Sequence, residues 1–211
     1  AIQNLVWGVA QPIVGALAAR LGFRLPMVAG AFVFLAGLVM LALADGFLTV
    51  LLGAGIAIGI GMAALSSAMA MAVTSRAVPA SRRSFILGLV GSASSLGAMI
   101  AAPLGQMLNT NSGDWRVGMI GFVVLGLSII PAAWVAGRVD TMRLPSHAPG
   151  RTDGLPAASA LAIALRHGPF LIMSVAFFVC GMQLVFLLTH LPNYLAICGM
   201  DPMLGATALG I

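Results

Sequence analysis

The sequence predicts an all-α, polytopic membrane helical bundle, and three observations predict it. Of 211 residues, 61% are apolar and only 7% charged, with a mean hydropathy of +1.10. The apolar residues gather into six runs, at 2–19, 26–44, 47–73, 85–108, 117–136 and 170–189, and a seventh begins at 202–211. Most of these runs approach the roughly 20 residues that cross a bilayer as a helix. The ten cations, all arginine, lie almost entirely in alternate gaps between runs.

Composition excludes the other classes. Soluble domains carry about 25% charged residues, and this chain has no Glu, no Lys and five Asp, too few to solvate a globular surface. In lipid each run must be helical, because only a helix satisfies its own backbone without an open edge. The net charge of +5 does not point to nucleic acid, since the arginines stand singly or in pairs rather than along one face. Cys180 lies inside an apolar run and Cys198 just beyond it, without metal-like or redox spacing. Neither a cofactor nor a metal ligand set is expected. The first run lacks the basic start and cleavage site of a signal peptide.

The first two runs are joined by Gly15-Ala-Leu17-Ala-Ala-Arg20-Leu-Gly22-Phe-Arg24. A polar interruption so short leaves room only for a tight turn between antiparallel neighbours. Short cytoplasmic loops collect Lys and Arg, which puts this turn inside. The stretch resembles the signature Gly-x-Leu-x-Asp-Arg-x-Gly-Arg-Arg that the major facilitator superfamily carries between its second and third helices. Gly15, Leu17, Arg20, Gly22 and Arg24 fall on matching positions; Ala19 stands where the family has Asp, and Phe23 where it has Arg. The resemblance implies a cytoplasmic gating latch, in which loop arginines bond to neighbouring helix ends. Ala19 puts its charge-relay part in doubt.

Sides follow for every gap. Arg20 and Arg24 follow the first run, Arg76, Arg82 and Arg83 the third, and Arg138, Arg143, Arg151 and Arg166 the fifth, nine on one side; Arg116 alone falls on the other. That bias places the nine in the cytoplasm. In the third run Gly53, Ala57 and Gly61 repeat at every fourth position, with Gly55 and Gly59 on the adjoining face, a spacing that lets helix backbones approach closely in lipid. The fourth run repeats it with Gly97, Ala101 and Gly105, and its Pro103 is expected to bend the helix. Asp114-Trp115-Arg116 opens the fifth run and is similar to the Gly-Trp-Arg of superfamily members; Trp115 reads as an interfacial anchor with Arg116 snorkelling beside it.

The interval 137–167 is the longest polar one. With one helix ahead of residue 2, it follows the family's sixth helix, where the superfamily has its central cytoplasmic loop. The expected organisation is a partial N-terminal half bundle at 1–136 (helices two to six), this loop at 137–167, and the start of a C-terminal half at 168–211 (helix seven and part of eight). The fold is then the major facilitator fold, incomplete. His147 and His167 in or beside the loop read as solvated or interfacial. The sixth run contains Cys180-Gly-Met-Gln183 and Thr189-His190-Leu-Pro192-Asn-Tyr194, which resemble the seventh helix of the monocarboxylate-porter and oxalate/formate-antiporter branch.

Polar residues inside the runs are the candidates for a substrate pathway, because facilitators bind near the midplane. Asn4 and Gln11 share a face of the first run, and Gln183 and His190 one of the sixth, each pair seven apart. Side-chain amides at mid-depth need a partner or a cavity, and His190 can take a proton near neutral pH. Ser66, Ser67, Thr74, Ser92, Ser94 and Ser95 are expected to bond to their own helices. No run holds a carboxylate or an arginine at mid-depth, where proton relays and anion sites usually have one. The expected function is secondary transport of a small solute, a mono- or dicarboxylate by the branch resemblance, with proton coupling or exchange, in a cell inner or plasma membrane. The partners are that solute, the proton or counter-substrate and the lipid bilayer. The rival readings are a passive channel or a transport-dead sensor on the same scaffold. An intramembrane enzyme is set aside: Gly59-Ile-Gly61-Met-Ala-Ala64 fits a dinucleotide fingerprint only formally, inside an apolar helix with no acid downstream.

Overall fold

The computed structural model describes residues 2–141, 157–200 and 204. Within them six helical spans are long and apolar enough to cross a membrane: Ile2–Leu21, Arg24–Ala42, Phe47–Ala77, Ala80–Asn111, Trp115–Thr141 and Gly168–Leu195. No strand occurs among the described residues. The seventh run, at 202–211, lies outside them except for Leu204.

The first two spans are single helices, α1 (Ile2–Leu21) and α2 (Arg24–Ala42). The third, one run in the sequence, is built in pieces. It begins as α3 (Phe47–Val50), widens into a π-helical stretch at Leu51–Ala57, and continues as α4 (Ile58–Ala64). It breaks at Leu65–Ser66 before α5 (Ser67–Ala77). Ser66 is extended there and its hydroxyl accepts from Met69 N at 3.3 Å, which caps α5. The fourth span is α6 (Arg83–Ser112), entered through a 3-10 turn and closed by Gly113 at φ +67. The fifth consists of α7 (Trp115–Gly126) and α8 (Ile129–Ala136), followed by a 3-10 turn at Gly137–Thr141. Its break at Leu127–Ser128 has an identifiable cause: Pro131 offers no N–H to the Leu127 carbonyl and its ring crowds that carbonyl.

These elements form one compact unit, and α9 (Ala157–Ala164) with α10 (Gly168–Ile197) belongs to a second. Among the described residues, the interval 137–167 includes the 3-10 turn and α9. The helix α10 runs eight residues past Thr189 to Ile197, through Pro192.

In the first unit α2 lies at the centre, against the third span on one side and α7 and α8 on another; α1 flanks the third span and α6 packs on α7 and α5. Small residues make this possible. A side chain at Gly61 would meet the Phe34 backbone, one at Gly37 would meet Ile58 and Ala57, and one at Gly53 would meet Gly37 O. On the adjoining face Gly59 lies against Gln3 and Val6, and Gly55 against Ile2. The two glycine faces of the third span thus serve two different neighbours, α2 and α1. The core where α1, α2, the third span and α8 meet contains Val14, Ala18, Phe23, Met27, Ala31, Ala63, Ala64, Met69 and Ala133. Alanine is common there because close backbones leave little volume for side chains.

The fourth span departs from the expectation. Gly105 does touch Phe122, but Gly97, like Gly88 and Gly91, faces open space, and among the described residues none of α6 is buried. Its small-residue spacing is used at one position. Ser92 and Thr74 bond to carbonyls of their own helices, at 3.0 and 2.8 Å, as serine and threonine in helices often do.

Candidate functional site

The turn joining α1 to α2 is held by a residue more than a hundred positions away. Leu21 ends α1, Gly22 takes φ +86, and Arg24 opens α2. A helix start leaves backbone N–H groups without partners. Here no local side chain caps α2. Instead the Asp140 carboxylate accepts from Phe23 N at 2.9 Å and Arg24 N at 2.8 Å. A carboxylate at a helix N-terminus is favoured by the hydrogen bonds and by the helix dipole together. The 3-10 turn after α8 is what carries Asp140 there.

Three further contacts lock the joint. The Arg24 guanidinium carbon lies 3.2 Å from the ring centroid of Trp134, a cation–π stack. Gly137 passes so close to Arg24 that a side chain would lie 2.5 Å from its Cα. Phe23, 4% exposed, carries the Arg76 guanidinium over its ring at 4.6 Å. Ends of α1, α2, α5 and α8 are thereby gathered into one cationic, aromatic joint.

The motif residues divide over this joint. Gly22 and Arg24 are inside it. Gly15, Leu17 and Arg20 are exposed, and Gly15 has open space where a side chain would stand. Arg20 makes no hydrogen bond, ion pair or ring contact among the described residues. The carboxylate that Ala19 lacks has no replacement at Arg20; Asp140 works instead on the backbone of the turn. Asp140, Trp134 and Gly137 were not singled out by their sequence pattern. The one available signal was an aspartate a single 3-10 turn beyond an apolar run.

Deeper in the bundle, Gln11 donates from Nε2 to Ser66 Oγ at 2.8 Å, and Ser66 donates to Ala63 O at 3.1 Å. The break in the third span is therefore tied to α1 by a polar node whose hydroxyl is 8% exposed as a residue. Gln3, not Asn4, joins Gln11 on the face toward the third span: its Nε2 lies 3.1 Å from Met62 Sδ, whereas Asn4 is exposed. The buried Trp7 Nε1 and Gln11 Oε1 have no hydrogen-bond partner among the described residues. Gln183 and His190 are in the second unit, both exposed, with the His190 ring 4.8 Å from that of Phe186.

At the opposite end Asp114 caps α7, accepting from Arg116 N at 2.9 Å. Arg116 does more than anchor: its Nη2 donates to Ala44 O at 3.0 Å and to Asp45 Oδ1 at 3.2 Å, pinning the loop after α2. Asp45 is 91% exposed, and exposed pairs contribute about 0–1 kcal/mol. Arg116→Gln is accordingly expected to lower thermal stability in detergent only slightly. A loss of several degrees in Tm would mean the carbonyl contact dominates.

Comparison with known proteins decides the family, because the Major Facilitator Superfamily profile matches residues 1–211. The chain belongs to the major facilitator superfamily. It is a multi-pass membrane protein of a transport family. Monocarboxylate transporter 13 of Bos taurus is 28% identical over 200 residues, covering 95% of this chain and 45% of its own length. The Fujikurins efflux protein of Gibberella fujikuroi is 30% identical over 128 residues, 60% of this chain and 27% of the relative. MFS-type transporter eupM of Phoma sp is 30% identical over 128 residues, 60% and 44%. The facilitator chain described here spans less than half the length of each of these relatives. No solved structure matches it significantly.

Proposed function

We propose that this facilitator is a secondary carrier of a small organic carboxylate, working by alternating access with proton coupling or exchange in a cell inner or plasma membrane. The observation that carries this reading is the similarity to monocarboxylate transporter 13 along 95% of the chain. The organisation into a partial N-terminal half at 1–136, a central loop at 137–167 and the start of a second half from 168 belongs to the same proposal.

Alternating access needs halves that move as bodies. The Asp140 cap, the Arg24–Trp134 stack and the glycine contacts of α2 make the first unit such a body. Within the motif, Gly22 and Arg24 build the inner joint, and Arg20, unengaged among the described residues, is the group free to bond elsewhere in the transport cycle. Gln11, Asn4, Gln183 and His190 are the proposed polar positions of the pathway.

Counterflow of labelled lactate in proteoliposomes tests the function. A carrier accelerates uptake when the same solute is inside, whereas a channel or a sensor does not. Arg20→Ala is expected to slow counterflow severalfold at equal insertion; uptake identical to the parent would remove Arg20 from the mechanism.

A further inference from the structure

Where α2 begins and α8 ends, an exposed tryptophan stands beside two guanidinium groups that have no anion. Trp134 is 50% exposed even though the Arg24 guanidinium covers one face of its ring. Arg138, also exposed, follows four positions later, about 6 Å along the helix axis. Gly137, its neighbour in sequence, lies against the Arg24 backbone, so α2 and α8 each bring one arginine to the same joint.

Neither arginine side chain makes an ion pair or a hydrogen bond among the described residues. Of the Arg24 nitrogens only Nε is buried without a partner; the terminal pair is open to the surroundings. Stacking on Trp134 uses the face of the guanidinium and leaves that terminal edge, the part that forks onto a phosphate. The acid at the joint does not neutralise it. Both Asp140 oxygens are turned to the backbone of Phe23 and Arg24. Asp45 and Asp114 lie at the opposite ends of the spans, so among the described residues of the first unit no other acid stands at this end. Beside the two cations the surface is apolar: Val135 of α8 is 58% exposed and Leu25 of α2 57%, both on spans apolar enough to cross a membrane.

We infer that this joint is a headgroup site for an anionic glycerophospholipid. The phosphate accepts from the free edges of Arg24 and Arg138, Trp134 sits at the glycerol level where tryptophan concentrates, and an acyl chain runs along Val135 and Leu25. Any phosphate ester answers the two arginines; the exposed apolar surface next to them is what selects a lipid over a soluble one. Basic groups at the ends of membrane helices attract anionic lipid in this way. The site is independent of the carrier reading.

Quenching by brominated lipid tests it, because quenching requires contact with a tryptophan. In a Trp7→Phe, Trp115→Phe background Trp134 is the sole tryptophan of the full chain. Reconstituted into phosphatidylcholine vesicles, it is expected to be quenched by brominated phosphatidylglycerol at about one-tenth of the mole fraction needed with brominated phosphatidylcholine. Arg138→Gln should erase most of that preference while the unfolding temperature stays that of the background. Arg82→Gln with Arg83→Gln removes two exposed charges elsewhere at the arginine-rich ends and should leave the preference intact. Equal quenching by the two lipids overturns the site, and so does an equal loss in the Arg82→Gln, Arg83→Gln variant, which means a diffuse charge effect. Millimolar sn-glycerol 3-phosphate in the aqueous phase separates the two sources of phosphate: if it abolishes the preference, the arginines serve a soluble ester and the lipid site is overturned. Native mass spectrometry of the parent and of Arg138→Gln counts retained phosphatidylglycerol without the background substitutions, so the test stands even if that background misfolds; equal retention by both overturns the site.

Discussion

Gly61→Val is expected to take the first unit apart. Gly61 faces the backbone of α2 so closely that a Cβ there would lie 2.6 Å from Phe34 Cβ, 2.7 Å from its Cα and 2.8 Å from its N. A flexible side chain could swing aside, but a helix backbone can yield only by moving the whole of α2. That movement would pull Gly37 off Ile58 and Gly53 off Gly37 O, because the same pair of helices makes all three contacts. Overpacking a close-packed site costs about 1–3 kcal/mol even where side chains can adjust, so a loss of about 3 kcal/mol or more is expected here. Gly88→Val is the control, since nothing lies within 4 Å of its missing side chain; it should change stability by about 0.5 kcal/mol or less. Thermal unfolding and monodispersity in detergent compare the two. Equal behaviour of both variants would mean that α2 and the third span do not pack as described.

Gly22→Ala is the second large effect, and it acts on the joint. Any L side chain at φ +86 is strained, at about 1–2 kcal/mol. Its Cβ would also lie 2.6 Å from Asp140 Oδ2, displacing the carboxylate that caps α2. Hydrogen bonds to a charged group contribute about 1.5–3 kcal/mol each, less here because Asp140 is solvent-exposed. A combined loss of about 2–4 kcal/mol is expected. Asp140→Asn separates the two causes: it leaves Gly22 unstrained and keeps one acceptor, so it should cost about 1 kcal/mol. Should Gly22→Ala unfold at the parent's temperature, neither the left-handed turn nor the cap is present.

Much of the molecule was legible before any coordinates. The apolar runs gave the spans to within a few residues, since lipid leaves helix as the only backbone solution. The spacing of Gly53, Ala57 and Gly61 against Gly55 and Gly59 marked two adjoining small-residue faces on the third span, because helical periodicity is a property of the chain alone, and the packing assigned them to α2 and α1. Interruptions were harder. Pro131 could have been read as a break, but the π-helical stretch at Leu51–Ala57 and the break at Leu65–Ser66 have no proline to announce them. The open glycines of α6 show the converse: a small-residue spacing states that a close approach is possible, not that a neighbour is there.

By itself the sequence determined that this chain is a membrane helical bundle, that its arginines gather in alternate gaps between the apolar runs, and which family signature joins the first two helices. Only the tertiary structure decided that Asp140 caps α2, that Arg24 rests on Trp134 while Arg20 has no partner among the described residues, and that Gln11 holds the break at Ser66. Span and side depend on local hydrophobicity and charge, which are written along the chain. A hydrogen bond between residues 24 and 140 depends on where helices far apart in the sequence end relative to one another, and no local pattern records that.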